Sequence, residues 1–220
     1  MDKGNNPWQN INWDNTLADI DKEFTIVLKE KNMSLLQLDT LPEPYTGCID
    51  SDVFCLGMNP GEKDTLFEYS DYNRNLLLEY TQKTLSHSIM DNMWYHLKEH
   101  NGYCWWRKVT GELRNELKRN PQMFTIEFFP YHSSKGFSFP AFLNSYEYSN
   151  WLIRKAISDK KFILILRQKK KWLERINGLE YYEKLFYIDP RTAQHLVISK
   201  KNIVKGQGCM YEIDNLIKHL

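Results

Sequence analysis

The sequence predicts an α/β fold in which four parallel strands form one sheet with helices on both faces. Three observations predict it. Four short apolar runs, Asp52 to Leu56, Phe124 to Phe129, Phe162 to Leu166 and Leu185 to Ile188, have strand length. Segments of helical period separate them, which points to parallel neighbours joined by helical crossovers. Phe162 to Leu166 is apolar throughout, as suits a strand covered on both faces. No repeat, low-complexity tract or linker divides the 220 residues, so residues 1–220 are expected to form a single domain.

The elements follow in order. Asn15 to Lys31 reads as an amphipathic helix, with Leu17, Ile20, Phe24 and Val27 at helical intervals and Asn15 as N-cap. Leu41 to Gly47 is a Pro/Gly-rich loop leading into the first strand. Tyr72 to Lys98 has helical spacing with a break near Ser86, and Gly102 to Arg119 gives a further helix stopped by Asn120-Pro121. Ser145 to Asp159 carries the apolar stripe Trp151, Leu152 and Ala156, and Lys169 to Ile176 reads as a short basic helix. In the stretch Arg167 to Trp172, cations interleave with an aromatic ring. Such a stretch suits either phosphate contact with base stacking or a solvated helix face anchored by Trp172. Ile203 to Leu220 closes the chain with a helix from Gly208.

Composition narrows the function classes. Hydrophobic residues at 42% and charged residues at 26% describe a folded chain rather than a disordered one. Aromatics at 14% supply a core and leave rings for a ligand site. No apolar run approaches the roughly 20 residues of a membrane helix. The opening MDKGNNPWQN lacks the apolar stretch of a secretory signal, so a cytoplasmic protein is expected. Residues 1–150 hold 14 Lys and Arg against 21 Asp and Glu, whereas residues 151–220 hold 15 against 7. The basic final third fits either a phosphate-facing surface or solvated helix faces.

Cys48, Cys55, Cys104 and Cys209 have no pair at the two-residue spacing of a zinc knuckle or redox site. His96-Leu97-Lys98-Glu99-His100 matches the pattern of inverted zinc proteases, since two imidazoles four residues apart share a helix face. No third ligand is identifiable, and Asn101-Gly102 reads as a helix stop that puts His100 in a last turn, where it favours the helix dipole. Neither a metal nor a cofactor is expected.

Three strands end in loops rich in Gly, Pro, Asn, Ser or His, at residues 57–61, 130–134 and 189–194. In open α/β sheets ligands bind outside the carboxyl ends of strands, so these loops are expected to converge on one cleft holding Asn59, His132 and Arg191. The same residues would also serve as plain tight turns.

The run LPEPYTGCIDSDVFCLGMNPG resembles the opening of the uracil-DNA glycosylase superfamily, above all its mismatch-specific branch, where a strand ends in G-I-N-P-G. The lead-in P-E-P-Y-x-G is similar to that of an uncharacterised bacterial family within it. So are FFPYHS, ILRQKKKWLERI and DPRTAQHLVISKKN. The resemblance covers roughly residues 41–206, leaving residues 1–40 as a helical extension. It implies a three-layer α/β/α sandwich with a central four-stranded parallel sheet. It also implies excision of a uracil or of a damaged or mismatched base, flipped from DNA, by water attack on the N-glycosidic bond.

By matched position, Asn59 orients the water while Gly57, Met58, Pro60 and Gly61 hold the base. Phe67, Tyr69 or Tyr72 would supply a stacking wall, and Tyr131 and Ser133 further base contacts. The second catalytic block departs from the family: Asp189-Pro190-Arg191 stands where many members have His-Pro-Ser or Asn-Pro-Ser. His132 or His195 would then replace the missing histidine from another loop, Asp189, His132 and His195 are the candidates for a second catalytic group, and Arg191, Lys200 and Lys201 would bind phosphate. The expected partner is single- or double-stranded DNA, bound by a monomer. The alternative is a catalytically weak protein that uses the same pocket to bind a nucleic acid or nucleotide, and a zinc hydrolase built on His96 and His100 is a third reading.

Overall fold

The computed structural model describes residues 6–24, 35–135 and 137–220. The elements, in chain order, are β1 (Leu36–Gln37), β2 (Tyr45–Thr46), β3 (Val53–Leu56), α1 (Asp71–Leu85), α2 (Asn101–Val109), α3 (Gly111–Leu117), β4 (Phe124–Ile126) and β5 (His132–Ser133). They continue as α4 (Tyr146–Ser158), β6 (Phe162–Ile165), α5 (Lys169–Arg175), β7 (Leu185–Ile188), β8 (Ile203–Lys205) and α6 (Ile213–His219).

The main sheet is mixed and mostly parallel, in the order β2-β4-β3-β6-β7-β8. Its four inner strands are the four apolar runs of the sequence, and each is parallel to its neighbour. Every residue of β3, β4 and β6 is buried, which is why β3 and β6 read as unbroken apolar runs, while β4 buries the polar Thr125 between Phe124 and Ile126. The sheet has six strands rather than the expected four, because β2 and β8 add antiparallel edges. At two and three residues these edges are too short to show the period-two pattern of a strand. β1 and β5 form a separate antiparallel pair.

Other boundaries shift for local reasons. The helix expected from Tyr72 stops at Leu85, and His87 turns the chain in the left-handed region with φ of 58°. The expected helix from Gly102 is two helices broken at Thr110, whose hydroxyl donates to the Trp106 carbonyl. Asn101-Gly102 opens a helix instead of closing one. His100 Nδ1 accepts from the Gly102 amide at 2.9 Å as N-cap, and a Cβ on Gly102 would lie 2.6 Å from the Trp94 ring. His96 and His100 therefore share no helix face: His96 bonds Asp91 at 2.7 Å, and His100 stacks on Trp94.

Residues 25–31 of the expected first helix lie outside the described residues. Upstream, Asn15 is no N-cap: Asn12 Oδ1 accepts from the amides of Asp14 and Asn15, a turn that competes with helix, and a short 3-10 turn spans Asp19–Asp21. This region is more than an extension. Trp8, Ile11 and Ala18 are buried in the core, and Tyr131 donates to the buried Asp21 carboxylate at 2.7 Å.

Arg175 joins several elements. Its guanidinium donates to Asn150 Oδ1 at 2.7 Å, to the Phe128 carbonyl at 2.9 Å and to the Tyr146 carbonyl at 3.2 Å, and it lies 3.8 Å over the Tyr146 ring. Burial lowers its pKa to about 10, so it stays charged at neutral pH. One side chain thus ties α5, α4 and the segment after β4. Arg175→Met keeps the stem but leaves two carbonyls and an amide oxygen unpaired. Denaturant unfolding should show a loss of about 3 kcal/mol, and Arg175→Lys should recover little of it because a point charge lacks the planar fork.

Candidate functional site

The loop after β3 is stitched to four other segments. Gly57 donates to the Ile126 carbonyl at 2.8 Å, and Trp172 Nε1 donates to the Gly57 carbonyl at 2.8 Å. Phe129 donates to the Met58 carbonyl and Ser133 to the Gly61 carbonyl, both at 2.9 Å. Trp172 is fully buried, which settles its part in the basic stretch as an anchor for α5. Gly57 has no room for a side chain, since a Cβ there would meet Glu127 Oε2 at 2.3 Å. Gly61 takes a φ of 87°, where only glycine is unstrained.

These segments enclose a cleft of about 350 Å³ at the carboxyl ends of β3 and β4, within the usual size of small-molecule sites. Gly57, Met58, Asn59, Pro60, Gly61 and His132 all line it. Asn59 Nδ2 donates to Ser133 Oγ at 3.1 Å, which fixes the amide and leaves Oδ1 to accept. His132 Nε2 lies 3.0 Å from Glu43 Oε1, and both side chains are largely buried. Glu43 arrives by way of β2: its amide donates to the Pro130 carbonyl, and Glu127 donates to the Pro44 carbonyl. The Pro-Glu-Pro lead-in to the edge strand β2 therefore carries a carboxylate to the end of β4.

Glu127 also lines the cleft. Burial beneath the loop, reinforced by the nearby Glu43 charge, lifts its carboxyl from 4.5 to about 8, against the opposing pull of Arg167 and the Met58 amide. Its Oε2 is shut off from solvent without a hydrogen-bond partner. Arg167, which also lines the cleft, has a buried Nε without a hydrogen-bond partner. His100 is pushed down by burial and so is neutral at neutral pH. The aromatic lining comes from Tyr45, Trp94, Trp105 and Trp106. Trp105 is 38% exposed and stands perpendicular to Trp106.

The remaining sequence candidates sit elsewhere. Phe67 is buried and nearly perpendicular to the His100 ring, while Tyr69 and Tyr72 are exposed and do not line the cleft. Tyr131 is buried and spends its hydroxyl on Asp21 and Ala18. Ser133 acts through Asn59. Arg191 is outside the expected convergence with Asn59 and His132: it is exposed and forked on Asp189, whose carboxyl it holds down at about 2. That carboxylate also caps the 3-10 turn Pro190–His195, so its role is local, and His195 at the end of that turn does not line the cleft. Lys200 pairs with Glu116 at 2.8 Å and Asp214 at 3.0 Å, and Lys201 with Glu112 at 3.1 Å. The basic excess after residue 150 is in this way partly met by acidic partners from α3 and α6.

Sequence reasoning missed Glu43, Glu127, Arg167 and the tryptophans. One signal was there to be read: Glu127 interrupts an apolar run taken as a buried strand, and a carboxyl in such a place demands a reason. Comparisons with family models, with curated proteins and with solved structures give no match.

The raised Glu127 carboxyl has a consequence for stability. Between pH 4.5 and about 8 the folded protein holds this proton while the unfolded chain releases it. Its contribution is complete below pH 4.5 and is lost as pH rises through about 8. Glu127→Gln removes that dependence, so its melting temperature relative to the native chain should climb between about pH 5 and about pH 9. Thermal melts across this range check it; a constant difference would mean that Glu127 titrates normally.

Proposed function

We propose that the chain is an N-glycosyl hydrolase of the uracil-DNA glycosylase type, which takes a base flipped from DNA into the cleft and cuts its bond to the sugar. The observation that carries the reading is the fixed Asn59 amide beside the Glu43–His132 pair, at the strand ends where such folds bind ligands. The proposal includes the finer architecture of that superfamily, a three-layer α/β/α sandwich around the four parallel inner strands.

The chemistry needs little beyond positioning. The transition state is oxocarbenium-like, so the site must place a water and stabilise positive charge on the sugar. Asn59 Oδ1 orients the water. Glu43, held by the His132 Nε2–H, accepts its proton as the new C–O bond forms, and the electron pair of the breaking C–N bond leaves with the base. Asp189 is not needed for these steps. The competing reading, a protein that binds a nucleotide without cutting it, draws on one observation. Asp189 and Arg191, at the matched second block, are engaged with each other rather than with the cleft.

Release of free base from oligonucleotides bearing uracil, hypoxanthine or alkylated bases tests the proposal. Asn59→Ala and Glu43→Gln should each slow single-turnover excision by about 10²-fold, roughly 2.7 kcal/mol of barrier, while substrate binding changes much less. Melting temperatures on the same samples separate this from unfolding. Base binding without release by the native chain would leave only the binding reading.

A further inference from the structure

We infer that the cleft selects a positively charged planar base, an N-alkylated purine or an equivalent N-glycosylated cation, over a neutral one. The inference rests on the reading of this cleft as a base site and names the class of base it takes.

Charge and rings on the cleft wall carry it. Glu43, Glu62 and Glu127 line the cleft with one guanidinium, that of Arg167, and with His132, which is paired with Glu43. His100 adds no charge at neutral pH, because burial holds it neutral. Trp105 is partly exposed and lines the same cleft, and indole is the strongest of the side-chain rings for a cation. Glu127 Oε2 is tucked beneath Gly57, where a ligand cannot bond it. What this carboxyl offers the cleft is therefore charge rather than a hydrogen-bonding edge. That charge is suppressed, since burial disfavours it and Glu43 repels it more than Arg167 and the Met58 amide compensate. A cationic ligand reverses the balance and draws the proton off Glu127.

The reaction points the same way. A neutral base leaves as an anion and needs a group to stabilise it, and the residues matched to the family's second block, Asp189 and Arg191, lie outside the cleft. A cationic base leaves neutral. Water forms the new bond to the sugar carbon, its proton passes to Glu43, and the C–N electron pair cancels the charge on the ring nitrogen. A site rich in carboxylates suits that substrate and would oppose an anionic leaving group.

Calorimetric titration of the whole chain with 1-methylnicotinamide, a permanent planar cation, and with nicotinamide, its neutral counterpart, tests this. The cation should bind about tenfold more tightly at neutral pH, and its advantage should grow by about another tenfold between about pH 6 and about pH 9.5 as Glu127 ionises. Binding at neutral pH should release a proton, seen as heat that changes with the ionisation enthalpy of the buffer. Glu127→Gln should abolish the pH dependence while nicotinamide affinity stays within about twofold, and Trp105→Leu should weaken the cation selectively. Equal affinities, an advantage that does not change with pH, or failure of the cation to bind would each overturn the inference. Excision of uracil by a protein that does not prefer the cation would overturn this inference alone, whereas cation preference without any excision would overturn only the hydrolase reading.

Discussion

The missing side chain at Gly57 is the constraint on which the site depends. The Glu127 carboxyl fills the space a Cβ would take, and the Gly57 carbonyl is bonded by Trp172 from below. These two contacts set the height of the loop over the sheet. They also set the electrostatics, because the carboxyl is covered by backbone and held near another carboxylate. A single atom more at residue 57 would move the loop, and with it Asn59.

Around that point the molecule distributes its rigidity unevenly. The loop after β3 is bonded to β4, to the segment behind it, to β5 and to α5, so the backbone under Asn59 is fixed from several directions. Arg175 draws in α4 and α5 through two carbonyls, an amide oxygen and aromatic faces. Trp105, by contrast, is exposed and stands perpendicular to Trp106. A firm floor under an open aromatic wall is what a site needs to position one reacting atom and still admit its ligand.

The charged groups separate into two kinds. Lys200, Lys201 and Arg191 are solvent-facing and paired with nearby acids, where each pair contributes little to stability. Glu43, Glu127 and Arg167 lie in the cleft, where Glu127 Oε2 and Arg167 Nε have no hydrogen-bond partners. Polar atoms left unpaired in a covered place are costly to fold, and here they coincide with a cleft and a strongly raised carboxyl.

The four inner strands, the basic helix anchored by Trp172 and the loop carrying Asn59 were legible in the sequence, because burial on both faces writes an unbroken apolar run and a tight turn demands Gly and Pro. The edge strands were not, since two or three residues hold no period. Nor was the start of α2, where a contact between Gly102 and the Trp94 ring turned a stop signal into an N-terminus. Glu43 and Glu127 lie 84 positions apart and meet only because β2 pairs antiparallel with β4. Sequence determines which residues must be covered or must turn, since those are properties of each residue and its near neighbours. Which charges come to face one another across a cleft is decided by strand pairing between distant segments, and only the tertiary structure holds that information.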